Sequence, residues 1–245
     1  MSELQGRVAI VTGSSSGIGE ATARHLSLAG ANIVVNSSTS REAGEKVTAA
    51  LPTDAIYVQA DISNQDQGQA LVDATLDRFG RLDILVNNAG WTSPVDHADL
   101  DALTDEIMQR TFDVNVFGTW WLTRSAMPHL RESPDGNVVM VTSVAGLRPV
   151  GSSIAYSMSK AALNHLTALL AKACAPVRVN AVAPGLVETP WTAGWTDLHQ
   201  MARDKLPLHR AAQPDDIALA IMSLVGNGYL TGEIMVVDGG LTQVM

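Results

Sequence analysis

Seven short runs of β-branched and other apolar residues recur along the chain, most of them followed by a longer stretch whose apolar positions repeat every three or four residues. The runs are RVAIVT (7–12), NIVVN (32–36), AIYVQA (55–60), LDILVN (82–87), NVVMVTS (137–143), VRVNAVA (177–183) and EIMVVD (233–238). Most are nearly continuous in apolar residues rather than alternating, the pattern of parallel strands covered on both faces. Periodicity and terminal signals place helices at about 17–29, 41–50, 64–79, 102–130, 153–174 and 214–225. The alternation predicts an α/β fold: a Rossmann-type doubly wound parallel sheet of about seven strands with helices on both faces. With 245 residues and no repeat, low-complexity tract or linker, a single domain is expected.

One region breaks the rhythm. Residues 186–212, LVETPWTAGWTDLHQMARDKLPLHRAA, contain two tryptophans and no convincing strand, and a connection of that length is more often functional than plain. A partly helical substrate lid is expected there.

Candidate chemistry gathers at the ends of the predicted strands. In VTGSSSGIGEATARHLSLAG, Gly13, Gly17 and Gly19 stand between the first strand and an amphipathic helix, where small residues let backbone N–H groups approach a pyrophosphate. NNAG (87–90) ends the fourth strand and Ser143 ends the fifth. In YSMSK, Tyr156 and Lys160 lie one turn apart on one helical face. Asn115, in DVNVFG, interrupts an otherwise apolar helix, where a buried amide satisfying a neighbouring carbonyl is the simplest role.

Together with NAVAPG (180–185) and TGEIMVVDGG (231–240), these motifs closely resemble the short-chain dehydrogenase/reductase family nearly end to end. The resemblance implies a nicotinamide dinucleotide and hydride transfer between an alcohol and a carbonyl. It implies a catalytic set of Asn115, Ser143, Tyr156 and Lys160. Tyr156 would be the general acid/base, with its phenol pKa lowered by the Lys160 ammonium. Ser143 would polarise the substrate carbonyl, Lys160 would also hold the nicotinamide ribose, and Asn115 would hold a water joining Lys160 to solvent. Cofactor binding would fall to Gly13, Ser15, Ser16, Gly17, Ile18 and Gly19 at the pyrophosphate, and to Asp61 and Ile62 at the adenine. Asn88, Ala89 and Gly90 would pass the adenosine ribose, and Pro184, Gly185, Val187 and Thr189 would border the nicotinamide. As isolated residues, many of these are ordinary turn or capping material.

In such folds an acid at the end of the second strand accepts the ribose 2'-OH and selects NAD. Here that place is Ser37, and Asn36, Ser37, Ser38 and Arg41 offer donors to a 2'-phosphate, so NADP(H) is expected over NAD(H). Against this, Ser16 stands where many NADP-dependent relatives carry a basic residue.

The nearest general likeness is to 3-oxoacyl-(acyl-carrier-protein) reductases and to small-molecule carbonyl reductases. Carrier docking calls for basic residues near the ends of the long interface helices, where this chain retains Arg131 and Arg178. A free small-molecule substrate is the main expectation, lined by Trp91, Trp191 and Trp195 beside Ser143 and Tyr156. The carrier-bound reductase is the alternative, and a binding-only dinucleotide sensor a third reading. A homotetramer built on the long helices is implied, with FGTWWL supplying more large apolar residues than one core face needs.

Composition narrows the partners. A formal charge of −9 and a pI near 5.0 set the surface against nucleic acid and anionic membrane. Cys174 is the single cysteine, so no internal disulfide or cysteine metal cluster forms, which suits a cytoplasmic protein. The six histidines show no metal-ligand spacing, no metal is expected, and no apolar span of 18 residues or secretion signal is found.

Overall fold

The computed structural model describes residues 4–244. All seven expected strands form, as β1 (Val8–Val11), β2 (Asn32–Ser37), β3 (Ala55–Gln59), β4 (Ile84–Asn87), β5 (Asn137–Val141), β6 (Arg178–Pro184) and β7 (Ile234–Val237). They pair in parallel throughout, in the order β3-β2-β1-β4-β5-β6-β7. The order reverses between β1 and β4, which opens a crevice at the carboxyl ends of those strands.

The helices are α1 (Gly17–Leu28), α2 (Arg41–Ala50), α3 (Gln65–Phe79), α4 (Asp105–Phe112), α5 (Thr119–Glu132), α6 (Ile154–Ala173), α7 (Thr196–Lys205) and α8 (Pro214–Gly226). Side chains alternate across the sheet, so two cores form. Ala9 and Val11 face Leu26 of α1 and Ile217, Ile221 and Leu224 of α8. Ile10, Val138 and Met140 face Leu71 of α3, Leu122 and Leu130 of α5 and Leu170 of α6. Burial of each such Leu or Ile contributes about 1.5–3 kcal/mol. Burial on both faces explains why the strands read as continuous apolar runs.

One expected helix differs. The stretch at 102–130 starts later, at Asp105, and divides into α4 and α5 around a π-helical turn, Asp113–Gly118. Such turns insert a residue into the helical ladder and re-aim side chains, here turning buried Asn115 toward the chain beyond β4.

Residues 186–212 contain α7, as a partly helical segment should. The two ends are zipped together: Glu188 N–H donates to the Ala212 carbonyl and Ala212 N–H to the Leu186 carbonyl, each at 2.8–2.9 Å. A small separate core of Val144, Ala202, Leu206, Ala211 and Leu241 anchors one face of α7, while Trp191 and Leu198 stay exposed.

Candidate active site

The turn from β1 into α1 is shaped by glycine where geometry demands it. Gly13 (φ 60°) and Gly17 (φ 58°) are left-handed, and a Cβ on Gly19 would sit 2.4 Å from the Gly13 carbonyl oxygen and 2.6 Å from Asn88 Nδ2. Asn88 Nδ2 donates to the Thr12 and Gly13 carbonyls at 2.8 and 3.0 Å, lacing the end of β4 to this turn. Ser16, at the N-cap of α1, makes no side-chain capping bond. The first-turn N–H groups are therefore not claimed by a cap, and the turn fits the pyrophosphate of a dinucleotide.

Beyond β3, Asp61 and Ile62 line the same cleft, and Asp61 Oδ1 also accepts from Ser63 N–H and Oγ at 2.9 and 2.7 Å. The tip of β2 corrects one expectation. Both amide hydrogens of Asn36 go to the Val58 and Ala60 carbonyls, at 3.1 and 3.0 Å, so its side chain ties β2 to β3 and has no donor left for a phosphate. Ser37 is buried and its hydroxyl meets Tyr57 Oη at 2.8 Å, while Ser38, Thr39 and Ser40 form an exposed hydroxyl rim. Thr39 and Ser40 were not among the expected site residues, although the run SSTS advertises them.

At the other end, Pro184 and Gly185 close β6, and a Cβ on Gly185 would press on Asp238 Cα at 3.0 Å. Val187 forms a bridge with Ala212, and Thr189 overhangs Gly17.

The reacting end is set by local sequence. Ser153 caps α6 by accepting from Tyr156 N–H at 3.2 Å, which places Tyr156 in the first turn and Lys160 one turn beyond. Lys160 is 3% exposed, donates from Nζ to the Val141 carbonyl at 2.8 Å and lies 5.6 Å from the Tyr156 ring centre. Ser143 follows β5 and caps a short turn, accepting from Ala145 N–H at 3.1 Å, which leaves its own proton to give.

The electrostatics differ from the expectation of an acidified phenol. Burial pushes Tyr156 up to about 12, with the Ser143 hydroxyl acting the other way. Burial also pushes Lys160 down to about 8. The Lys160 Nζ lies 5.6 Å from the ring centre, and burial is the leading cause of both shifts.

Asn115 realises its simplest role. Its Oδ1 accepts from Trp91 N–H at 2.7 Å, and its Nδ2 donates to the Trp91 carbonyl and Ser159 Oγ, both at 3.0 Å. With both donors spent, the side-chain amide clamps the segment after β4 and is not free to donate to a water.

One cleft of about 810 Å³ gathers nearly every expected site residue, including Trp91, Trp191 and Trp195. Gly19 and Asn115 do not line it and instead support its walls, and Arg41 does not line it either, its guanidinium being bonded to Gln59 and Glu45. Trp191 packs edge-on against Tyr156, with ring centres 6.3 Å apart. Arg110 also lines the cleft and was missed, because nothing in its own helix marks it.

The fold and cleft define a dinucleotide-binding protein of the doubly wound class, with Ser143, Tyr156 and Lys160 gathered in the cleft. A family model described as Enoyl-(Acyl carrier protein) reductase matches residues 13–242. A Streptomyces violaceoruber protein assigned as ketoacyl reductase 2 of the granaticin polyketide synthase is 50% identical, with 95% of each chain covered. The cis-4-hydroxycyclohexanecarboxylate dehydrogenase of Sinomonas cyclohexanicum is 36% identical, with 97% of each covered. A crystal structure of a short-chain type dehydrogenase/reductase from Mycobacterium marinum superposes with a TM-score of 0.91 at 31% identity, covering 98% of this chain and 97% of that one. The chain belongs to the short-chain dehydrogenase/reductase family, oxidoreductases of CH–OH and C=O groups that use a nicotinamide cofactor.

Proposed function

We propose that the protein reduces a ketone of a free small molecule, with NADPH as the hydride source and Tyr156 as the proton donor. The observation that carries this reading is the convergence of Ser143, Tyr156 and Lys160 at one end of a cleft whose other end is a glycine turn and a hydroxyl rim. A bound reduced nicotinamide would supply hydride to the carbonyl carbon. Ser143 donates a hydrogen bond to the carbonyl oxygen, and Tyr156, a phenol throughout the neutral range, passes its proton to the developing alkoxide. Lys160 holds positive charge beneath the ring while the proton leaves.

Free substrate is favoured over a carrier-bound one by the fate of Arg178. It is 7% exposed, with its guanidinium donating to Asp135 and to the Leu224 and Val225 carbonyls, so it is a structural staple closed to a docking partner. Of the two arginines considered for carrier docking, only Arg131 remains on the surface. The names of the relatives span both possibilities, a ketoacyl reductase and a dehydrogenase of a ring hydroxy acid. An absorbance assay with NADPH and NADH separately, across cyclic ketones, diketones, sugars and 3-oxoacyl thioesters, tests the reading. Reduction of thioesters alone would replace it with the carrier-bound alternative.

For the cofactor, support comes from the tip of β2: Ser37, Ser38, Thr39 and Ser40 line the cleft with hydroxyls, and the carboxylate nearest them in the lining, Asp61, follows β3 rather than β2. Ser37→Asp would set a carboxylate against the 2'-phosphate and offer an acceptor to the 2'-OH of NADH. The ratio of kcat/KM values should move toward NADH by at least about tenfold, and Ser16→Arg should move it the other way. An unchanged ratio in Ser37→Asp would show that the discriminating residue lies elsewhere.

The same reading takes the chain as one domain with 186–212 as its lid, ordered further when ligands bind. Hydrogen exchange should show weak protection over 189–200 without ligand and a marked gain with NADPH and ketone; equal strong protection in both states would make the segment a fixed wall. A homotetramer is favoured by the exposed Phe117, Trp120, Met158 and Leu169 along α5 and α6 and by a second patch at Leu219, Tyr229 and Val236. A cytoplasmic location accords with the lone cysteine, Cys174.

A further inference from the structure

Arg110 has no part in the chemistry above, yet its position is specific. Among the described residues that line the cleft, the only cations are Lys160, which is buried, and Arg110, which is exposed. Glu106 of its own helix and Asp113 of the π-helical turn lie one turn to either side and, with Asp105, share a second pocket with Arg110, yet it forms an ion pair with none of them: Asp113 instead accepts from Gln109. The guanidinium carbon lies 5.6 Å from the centre of the Trp91 ring. Stacking on an indole orients the planar fork and leaves its N–H edge free for a partner.

Trp91 is itself fixed. Both its N–H and its carbonyl are held by Asn115. The preceding Gly90 is wedged at the reacting end: a Cβ there would lie 3.5 Å from Trp191 Cη2 and 3.7 Å from Lys160 Nζ. The clamped Trp91 thus links an oriented, unpaired guanidinium to the wall beside Tyr156. The rest of that wall is apolar or aromatic, including Trp191, Trp195, Val150, Leu186 and Met201. In a protein of net charge −9, the one exposed cation among the described residues lining a cleft whose carboxylates are Asp61 and Asp197 matches an anion on a ligand.

The geometry points to Arg110 as a specificity-determining residue that binds a carboxylate on the substrate, making the preferred substrate a small ketone that carries an acid group. The inference rests on the carbonyl-reductase reading for its ketone and on Arg110 alone for its anion. Three other partners for the guanidinium are available: Asp197, which reaches the cleft from the first turn of α7, a phosphate of the dinucleotide that shares the cleft, and the phosphate of a carrier arm. Each leaves a different signature.

The test compares 4-oxocyclohexanecarboxylate with its methyl ester as substrates for the wild type, Arg110→Leu and Arg110→Lys. The wild type should favour the acid by at least about tenfold in kcat/KM, mostly through KM, and Arg110→Leu should collapse that ratio at least about tenfold. Arg110→Lys should retain part of it, since charge persists without the fork. A proportional loss on acid and ester together would assign Arg110 to the cofactor, where KM for NADPH rises, or to a latch with Asp197, where it does not, and either would overturn the proposal. So would a ratio that Arg110→Leu leaves intact, or discrimination confined to the pair acetoacetyl-pantetheine 4'-phosphate and acetoacetyl-pantetheine. A binding arm separates this from the reaction itself. Calorimetry with cyclohexanecarboxylate and cyclohexanecarboxamide should show the acid binding tighter to the wild type, with the difference lost in Arg110→Leu. If that difference appears while no ketone is reduced, the carboxylate site stands and the reductase reading falls.

Discussion

Replacing Tyr156 with phenylalanine is expected to cut ketone reduction by at least about 100-fold while leaving NADPH affinity within about twofold of wild type. Phenylalanine keeps the ring that packs edge-on against Trp191 and over which the Lys160 ammonium sits. Only the transferable proton disappears. Burial holds the phenol near 12, so at neutral pH the side chain is fully protonated and ready to act as an acid. The same burial makes the reverse reaction demand a phenolate that the ligand-free site disfavours, so alcohol oxidation should show the steeper rise with pH. Steady-state kcat with NADPH, together with cofactor titration by fluorescence, measures both halves. A variant keeping more than about a tenth of the wild-type rate would place the proton donor elsewhere.

Much of this site was legible because its determinants are local. The glycine turn, the Ser153 cap and the Tyr156–Lys160 pair each lie within a few residues of one another, and the seven apolar runs spelled out the sheet. What stayed hidden depends on partners distant in sequence. Asn36 reads as a donor at a strand end until β3 arrives and takes both of its hydrogens. Arg178 reads as a surface cation until Asp135 and the carbonyls ending α8 close around it. The π-helical turn at Asp113–Gly118 carries no distinctive periodicity, and its reason is a bond from Asn115 to Trp91, 24 residues away. Arg110 gains meaning only from its contact with the indole of Trp91, the residue whose backbone that bond holds. The phenol was misjudged for a related reason: two residues one turn apart say nothing about how deeply the fold buries them.

Lys160→Met should abolish activity and stabilise the protein. The ammonium is almost wholly buried, and among the described residues no carboxylate pairs with it; its one bond is to the Val141 carbonyl. Burial lowers its pKa from 10.5 to about 8, so the folded state binds this proton less readily than the unfolded chain does. The cost is therefore fully present below about pH 8, shrinks between pH 8 and 10.5, and is gone above. At 1.36 kcal/mol per unit the gross penalty is about 3 kcal/mol, and losing the bond to Val141 offsets about 1 of it. Methionine fills similar volume without charge. A net gain of about 2 kcal/mol corresponds to a rise of roughly 4–8 °C in Tm at pH 7, for a chain of this length. The gain should fade as the pH approaches 10.5, provided both proteins still unfold reversibly there. The wild-type kcat/KM for reduction should fall above about pH 8, as the same proton leaves the free enzyme. Turnover by Lys160→Met should be at least about 100-fold lower at every pH. A variant no more stable than wild type at pH 7, or one whose advantage ignores pH, would show that the charge at Lys160 is compensated in the fold and that its position carries no such conflict between stability and catalysis.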